Sequence, residues 1–348
     1  MSNLAVLPIA FPILAAALTV AAGIRFDRVG WPIAAVVAAV QVVVTATLVW
    51  TVATGGRIRY ELAGFAPPAG IELVVDGLSA TVALLVAVVV AGVLVYARRA
   101  GPRSTAFYAE VLLLCAGLSG MALTGDAFNL YVFLEITGLA TYALIASGES
   151  GRAAVAALKY LIIGTVGASI YLLGVGYAFI ATGTLNMIDL ADQLAAVGYD
   201  ATLVQAAFVL MVGGLAVKAA LYPLHVWQPD AYVESPDSVS AYVAALVSTV
   251  SAYAIARTIL TVFTVDFLAA NPVLQTAVVW MAALSVIAGS ALAVMQTEVK
   301  RMLAYSSVSQ FGLVIAAFAI ANETAVLGGT IHLVGHAIMK GGLFLAAG

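Results

Sequence analysis

Charge is scarce in this chain: Asp, Glu, Lys and Arg make up 9% of its 348 residues, against about 25% in an ordinary soluble domain. So few charges cannot clothe a water-facing surface, and at 64% hydrophobic residues lipid replaces water as the main solvent. Cysteine is nearly absent. Cys115 stands alone in the apolar run VLLLCAGL, which excludes a disulfide framework, a multi-cysteine metal site and an Fe–S ligand set, and it reads as a small buried hydrophobe. There is no H-E-x-x-H zinc pattern and no G-x-G-x-x-G loop set in a strand–helix unit, so no cofactor and no metal is expected. The formal charge of −3 is too small to suggest nucleic-acid binding.

What the chain has instead is long apolar runs. A helix needs about 20 apolar residues to cross the hydrocarbon core, and the runs predict an all-α polytopic membrane protein with about eleven spans. These cover residues 3–23, 31–53, 78–97, 106–125, 128–147, 154–181, 203–232, 238–263, 274–296, 303–320 and 325–348. The first run, lacking a basic n-region, reads as a retained span rather than a signal peptide. The longer polar connections are residues 54–77, rich in Gly and Pro, and residues 182–202, with Asp189, Asp192 and Asp200. The last residues, KGGLFLAAG, show no polar tail and read as a cut end, although Gly348 fits a C-cap. Arg25, Arg28, Arg98, Arg99, Arg103, Arg152, Lys159, Lys300 and Arg301 fall on one side of this arrangement. Arg57, Arg59 and Arg257 fall on the other. The positive-inside rule then places the N-terminus outside a plasma membrane.

Against that background the ionisable groups inside spans stand out. Lys218 sits in LMVGGLAVKAALYPLHVWQPDAYVE, just before Pro223 breaks the seventh span. A lysine near the bilayer centre costs roughly 2.5–3.5 kcal/mol on insertion scales, and broken backbone at that depth is tolerated where it is packed in protein or lines a watery cavity. Discontinuous helices of this kind bind ions in transporters. Lys218 therefore reads as part of an ion path, with a plain packing kink as the alternative. Glu135 lies in span five and, as a lone opposite charge, is expected to approach Lys218. Asp126, at the start of the same span, reads as a helix cap. His225, past the break, is either a proton shuttle or a histidine hydrogen-bonded at a helix end.

In span eleven, His332, His336 and Lys340 are spaced i, i+4, i+8, which drifts about 80° and rises about 12 Å along a helix. The stripe is expected to face the bundle interior. It reads as a proton relay, with helix–helix glue as the alternative; Lys340 opposes a zinc site at the two histidines. Ser248 and Thr249 in span eight, and Ser306 and Ser307 in span ten, are supporting candidates, since hydroxyls in membrane helices more often bond their own i−4 carbonyl than conduct.

Six ordered blocks resemble one family. GDAFNLYVFLEI, ALKYLIIGTVGASIYLLGVG, ATGTLNMIDLA, VKAALYPLHVWQPDAYVESPDSVSA, VKRMLAYSSVSQFG and HLVGHAIMKGGLFLAAG are similar to the antiporter-like subunits of Mrp-type cation/proton antiporters, respiratory complex I and membrane-bound hydrogenases. The resemblance covers residues 75–348, and FNLYVFLEI and ATGTLNMIDLA look most like the D-type member of the Mrp antiporters, with the N and M types of complex I as nearest rivals. It implies a fold of about fourteen helices containing two inverted five-helix repeats, each with a broken helix. On this chain that gives N-terminal helices in residues 1–105, a first repeat in 106–263 and an incomplete second repeat in 274–348, with helices twelve to fourteen absent. It also implies that Glu135 and Lys218 form the charge pair of one half-channel, and that His332, His336 and Lys340 form the central relay. Many members carry a lysine in the eighth helix where this chain has Thr249, and others a histidine where it has Ala244.

The implied function is proton translocation in a multisubunit complex exchanging protons for a monovalent cation such as sodium, with other membrane subunits as partners. The alternatives are a proton-pumping component of a redox complex and a truncated scaffold without transport.

Overall fold

The computed structural model describes residues 2–26, 28–68 and 70–348. It is almost entirely helical. Helices α1 (Leu7–Gly23), α2 (Gly30–Gly55), α3 (Gly77–Ala100), α4 (Thr105–Leu123), α5 (Ala127–Ala146) and α6 (Gly151–Thr182) follow one another, with short connections except between α2 and α3. A short α7 (Met187–Val197) then leads to α8 (Thr202–Lys218) and α9 (Gln228–Glu234). The chain ends in α10 (Asp237–Ala270), α11 (Pro272–Val294), α12 (Val299–Ile320) and α13 (Glu323–Ala347). Among the described residues ten helices are long and apolar enough to cross a membrane. Together with the discontinuous pair α8 and α9, they account for the eleven spans expected from the runs.

Local chemistry sets the helix starts. Asp76 caps α3 by accepting from Leu78 N at 3.1 Å and Ser79 N at 3.0 Å, and Ser79 Oγ accepts from Asp76 N at 2.8 Å, closing a capping box. Ser104, Asp126 and Ser150 cap α4, α5 and α6 through Phe107 N, Asn129 N and Ala153 N. The cap role expected for Asp126 is therefore met.

Two connections hold structure that the apolar runs do not reveal. Within residues 54–77, strands β1 (Ile58–Glu61) and β2 (Glu72–Val75) pair antiparallel, Ile58 opposite Val75 and Glu61 opposite Glu72, so one small hairpin accompanies the expected all-α architecture. Four-residue strands are too short to show a period. Within residues 182–202, Asn186 caps α7, which buries Met187, Leu190 and Leu194 on one face and keeps Asp189 and Asp192 off it.

Packing centres on α10, whose apolar stretch is wholly buried, unlike every other long helix. Its helical ladder widens to π geometry at Val243–Val247 and Thr258–Phe263, a form that recurs at functional sites. Around it, α6 lies along α8 and α11 along α12. The α6–α8 contact is close enough that a Cβ on Gly214 would stand 2.5 Å from Gly167 O and from Tyr171 N, so only glycine fits.

Away from the break, the bundle is stapled by a half-buried ion pair. Arg257 Nη2 of α10 meets Asp76 Oδ2 at 2.6 Å, and Arg257 Nε donates to Tyr253 Oη at 2.8 Å. Burial opposes ionisation of Asp76, but the Arg257 guanidinium beside it outweighs that and holds the carboxyl below its ordinary range. Asp76→Asn keeps the cap and removes the charge, so it should cost about 1.5–3 kcal/mol, and Asp76→Ala should cost about 1 kcal/mol more. Because the folded-state value is depressed, the stabilisation is present at neutral pH and is lost as pH falls below about 4. Thermal unfolding in detergent across pH should show that acid-side loss in the native chain and not in Asp76→Asn.

Candidate proton path

The seventh span breaks earlier and more widely than the Pro223 signal suggests. Helix α8 stops at Lys218 itself, residues 219–227 run as turns with Ala220 at φ +59°, and α9 starts at Gln228. Pro223 lies inside the break rather than at its edge. The loosened backbone is held by side chains from elsewhere: Tyr222 N donates to Ser285 Oγ at 3.1 Å, and Trp227 Nε1 donates to Val217 O at 2.9 Å.

Lys218 thus occupies the last turn of α8, where the helix dipole and unpaired carbonyls favour a cation. It is 1% exposed. Its Nζ donates to Tyr142 Oη at 3.0 Å and lies 5.4 Å and 5.7 Å from the ring centroids of Tyr142 and Tyr160, an aromatic setting that suits an ammonium. Gly138 and Gly164 leave the room: a Cβ on either would come within 3.2 Å of Nζ.

Glu135 is expected to approach Lys218, and its carboxylate acts through space on Lys218, Tyr142 and Tyr160. It makes no direct bond to the ammonium: among the described residues its Oε1 is buried with no hydrogen-bond partner, while Lys218 takes the Tyr142 hydroxyl.

The stripe on α13 faces inward as expected. His336 and Lys340 are buried and His332 is half-buried. His332 Nε2 and Gln310 Oε1 of α12 are 2.7 Å apart, and the His332 and His336 rings stack at 6.4 Å between centroids. Both ring nitrogens of His336 lack a partner among the described residues. Lys340 Nζ donates to Leu303 O at 2.7 Å and Ser306 Oγ at 2.6 Å, so Ser306 belongs to the Lys340 site. Ser307 does not: it bonds its own i−4 carbonyl, Leu303 O, at 3.2 Å.

His225 packs between Tyr222 and Tyr305, with centroids 5.3 Å and 5.7 Å away, and its Nδ1 has no partner. In α10, Ser248 Oγ accepts from Gln228 Nε2 at 3.2 Å, while Thr249 Oγ1 is buried and unpartnered. Ordinary membrane hydroxyls satisfy themselves on the i−4 carbonyl, as Ser251 does on Val247 O at 2.8 Å. Ser248 and Thr249 break that habit.

The buried side-chain polar atoms left without a partner among the described residues belong to Glu135, Tyr160, His225, Gln228, Thr249 and His336. Four of these are positions singled out from sequence, and they are spread over α5, the break, α10 and α13. Such atoms are costly unless water fills the gaps, so the arrangement suits a hydrated polar track through the bundle. Tyr142, Tyr160, Gln228 and Tyr232 are not legible in the sequence. Aromatic residues do not stand out in apolar helices, and one glutamine beside a break carries no pattern of its own.

A family described as NADH:quinone oxidoreductase/Mrp antiporter, TM, matches residues 124–348. The chain belongs to this family. It is 47% identical over 345 residues to the N-type subunit of the NADH-quinone oxidoreductase of Desulforudis audaxviator, covering 97% of this chain and 67% of that protein. It is 31% identical over 353 residues to the D-type subunit of the Na(+)/H(+) antiporter of Bacillus subtilis, covering 100% and 70%. Among solved structures, the membrane-bound sulfane sulfur reductase, an archaeal respiratory membrane complex, superposes with TM-score 0.92 at 34% identity, over 98% of this chain and 70% of that one. The Mrp complex from Dietzia gives 0.91 at 29% identity, over 99% and 64%. The chain spans about two thirds of the length of these relatives.

Gly164→Ala would place a Cβ 2.3 Å from Tyr142 Oη and 3.2 Å from Lys218 Nζ, forcing the phenol off the ammonium. It should destabilise the purified protein by about 1–3 kcal/mol in a thermal unfolding assay. Gly176→Ala on the same helix, whose Cβ would meet nothing within 4 Å, should leave the midpoint unchanged or slightly raised.

Proposed function

We propose that this chain is a proton-translocating membrane component of a multisubunit complex, and that its buried Lys218 and the stripe His332, His336 and Lys340 move the protons. The observation that carries this reading is the pocket of Lys218: a buried lysine held by a neutral phenol, with a carboxylate nearby but not bonded. An ammonium shut away from the surface depends on the few polar groups around it, and the Glu135 carboxylate is the charge that acts on it through space. A small shift of Glu135 toward or away from Lys218 then loads or unloads a proton. The residues that receive it lie across α10 on α13. Ser306, Thr249, Ser248 and His225 border the same track.

The N-terminal helices of residues 1–105 act as a frame. The parts that work are a first inverted repeat of residues 106–263 and a partial second repeat of residues 274–348. By the positive-inside rule the chain sits in a plasma membrane with its N-terminus outside.

Two complexes fit. The antiporter reading, with protons exchanged for a monovalent cation such as sodium, draws on the relatives named as D-type subunits of Na(+)/H(+) antiporters, which the chain matches along its whole length. The redox-driven reading draws on the 47% identity to a protein named as the N-type subunit of an NADH-quinone oxidoreductase. Affinity purification from native membranes separates them by whether the co-purifying subunits bind redox cofactors. A scaffold without transport is the third outcome.

Lys218→Ala and Lys340→Ala, each placed in the complete complex and assayed for proton flux in sealed membrane vesicles, should lower flux by about tenfold or more while the complex still assembles. Native flux in both variants would leave the scaffold as the better reading.

A further inference from the structure

Between Lys218 and α13 two tyrosines meet on one indole. Tyr160 stacks on Trp227 at 3.7 Å between centroids and Tyr232 meets the same Trp227 edge-on at 6.4 Å, while Lys218 Nζ lies 5.7 Å from the Tyr160 ring. Next along the chain from Trp227, Gln228 Nε2 donates to Tyr232 Oη at 2.9 Å and to Ser248 Oγ at 3.2 Å, and those two oxygens are 3.3 Å apart. Thr249 follows Ser248. The far side is closed by α13, where Phe344 meets Tyr232 edge-on at 5.5 Å and Gly341 faces Ala245 of α10. Gln228, Tyr232, Ser248 and Thr249 are all buried, and Tyr160 Oη, Gln228 Oε1 and Thr249 Oγ1 have no partner among the described residues.

The bonding pattern gives each group a part. Both amide hydrogens of Gln228 are spent on the two hydroxyl oxygens, so one hydroxyl hydrogen bridges those oxygens and the other is left to donate onward. An amide does not hold a proton at neutral pH, so Gln228 is suited to fixing its neighbours rather than to carrying charge. Hydroxyls and water do both: each can accept a proton on one side and release one on the other. The three unpartnered atoms mark where water would complete the chain.

We propose that Tyr160, Tyr232 and Ser248 form a lateral bridge that passes protons from the Lys218 pocket to Thr249 and on to α13, and that Gln228 is its positioning residue. The bridge rests on the reading that Lys218 handles protons. A proton arriving at Tyr232 Oη is matched by release of the phenolic hydrogen to Ser248 Oγ. Ser248 releases its own hydrogen to water beside Thr249, so each hydroxyl ends with one hydrogen and no charge stays behind. Rotation of the hydroxyls resets the chain.

The test uses the complete complex in sealed vesicles, with proton flux and thermal midpoint read together. Gln228→Leu and Tyr232→Phe should each lower flux by about tenfold at an unchanged midpoint, and Gln228→His, which again offers a ring N–H beside the hydroxyls, should recover part of it. Should Gln228→Leu fail to assemble, Tyr232→Phe, which removes a single oxygen, decides. Native flux in Tyr232→Phe, with flux lost in Lys218→Ala, overturns the bridge and leaves the role of Lys218 standing. Native flux in Lys218→Ala overturns the reading beneath it. A Gln228→His variant as slow as Gln228→Leu overturns the positioning role.

Discussion

The cost of holding an ammonium in a dry interior is the constraint on which this structure turns. Lys218 is buried far from the surface, so the fold brings what stabilises a cation to it: the carbonyl end of α8, the faces of two phenols, a hydroxyl acceptor and a carboxylate nearby. Each supply line fixes an element. The α8 end requires the break at residues 219–227, Tyr142 fixes α5, Tyr160 fixes α6, and the glycines at 138 and 164 let those helices close in. Trp227 then seals the break by stacking on Tyr160 and bonding Val217 O.

The break is anchored beyond the membrane interior as well. Asp230 of α9 meets Lys159 of α6 at 2.7 Å and Arg301 of α12 at 3.1 Å, while Asp237 at the start of α10 pairs with Lys300. Surface pairs of this kind contribute little singly, but they join four helices at one end, as Asp76 and Arg257 join α3 to α10 further along.

Family membership and local geometry answer different questions. The relatives are named as components of both antiporters and respiratory complexes, and a polar track of the kind proposed would serve either. What distinguishes this chain within the track is local: Thr249, a hydroxyl without a partner, beside a Gln228–Tyr232–Ser248 cluster that is fully bonded on one side and open on the other.

The sequence by itself determined the membrane class, the spans, the break, the cap at Asp126 and the inward stripe of α13. These follow from short-range rules, since apolar run length sets a span and i, i+4 spacing sets a face. It also marked Glu135, Lys218, His225, Thr249 and His336, because ionisable or hydroxyl groups in apolar helices stand out wherever they occur. Tertiary structure alone decided who meets whom. Two lone opposite charges suggest an approach, but that Tyr142 and not Glu135 bonds Lys218 is not legible there, because the third partner comes from elsewhere on α5 and nothing in its local sequence marks it. Tyr160, Gln228 and Tyr232 are ordinary residues until helix packing places their polar ends around Lys218 and Ser248, and the hairpin of β1 and β2 exists only because a second short strand, Glu72–Val75, returns to pair with Ile58–Glu61.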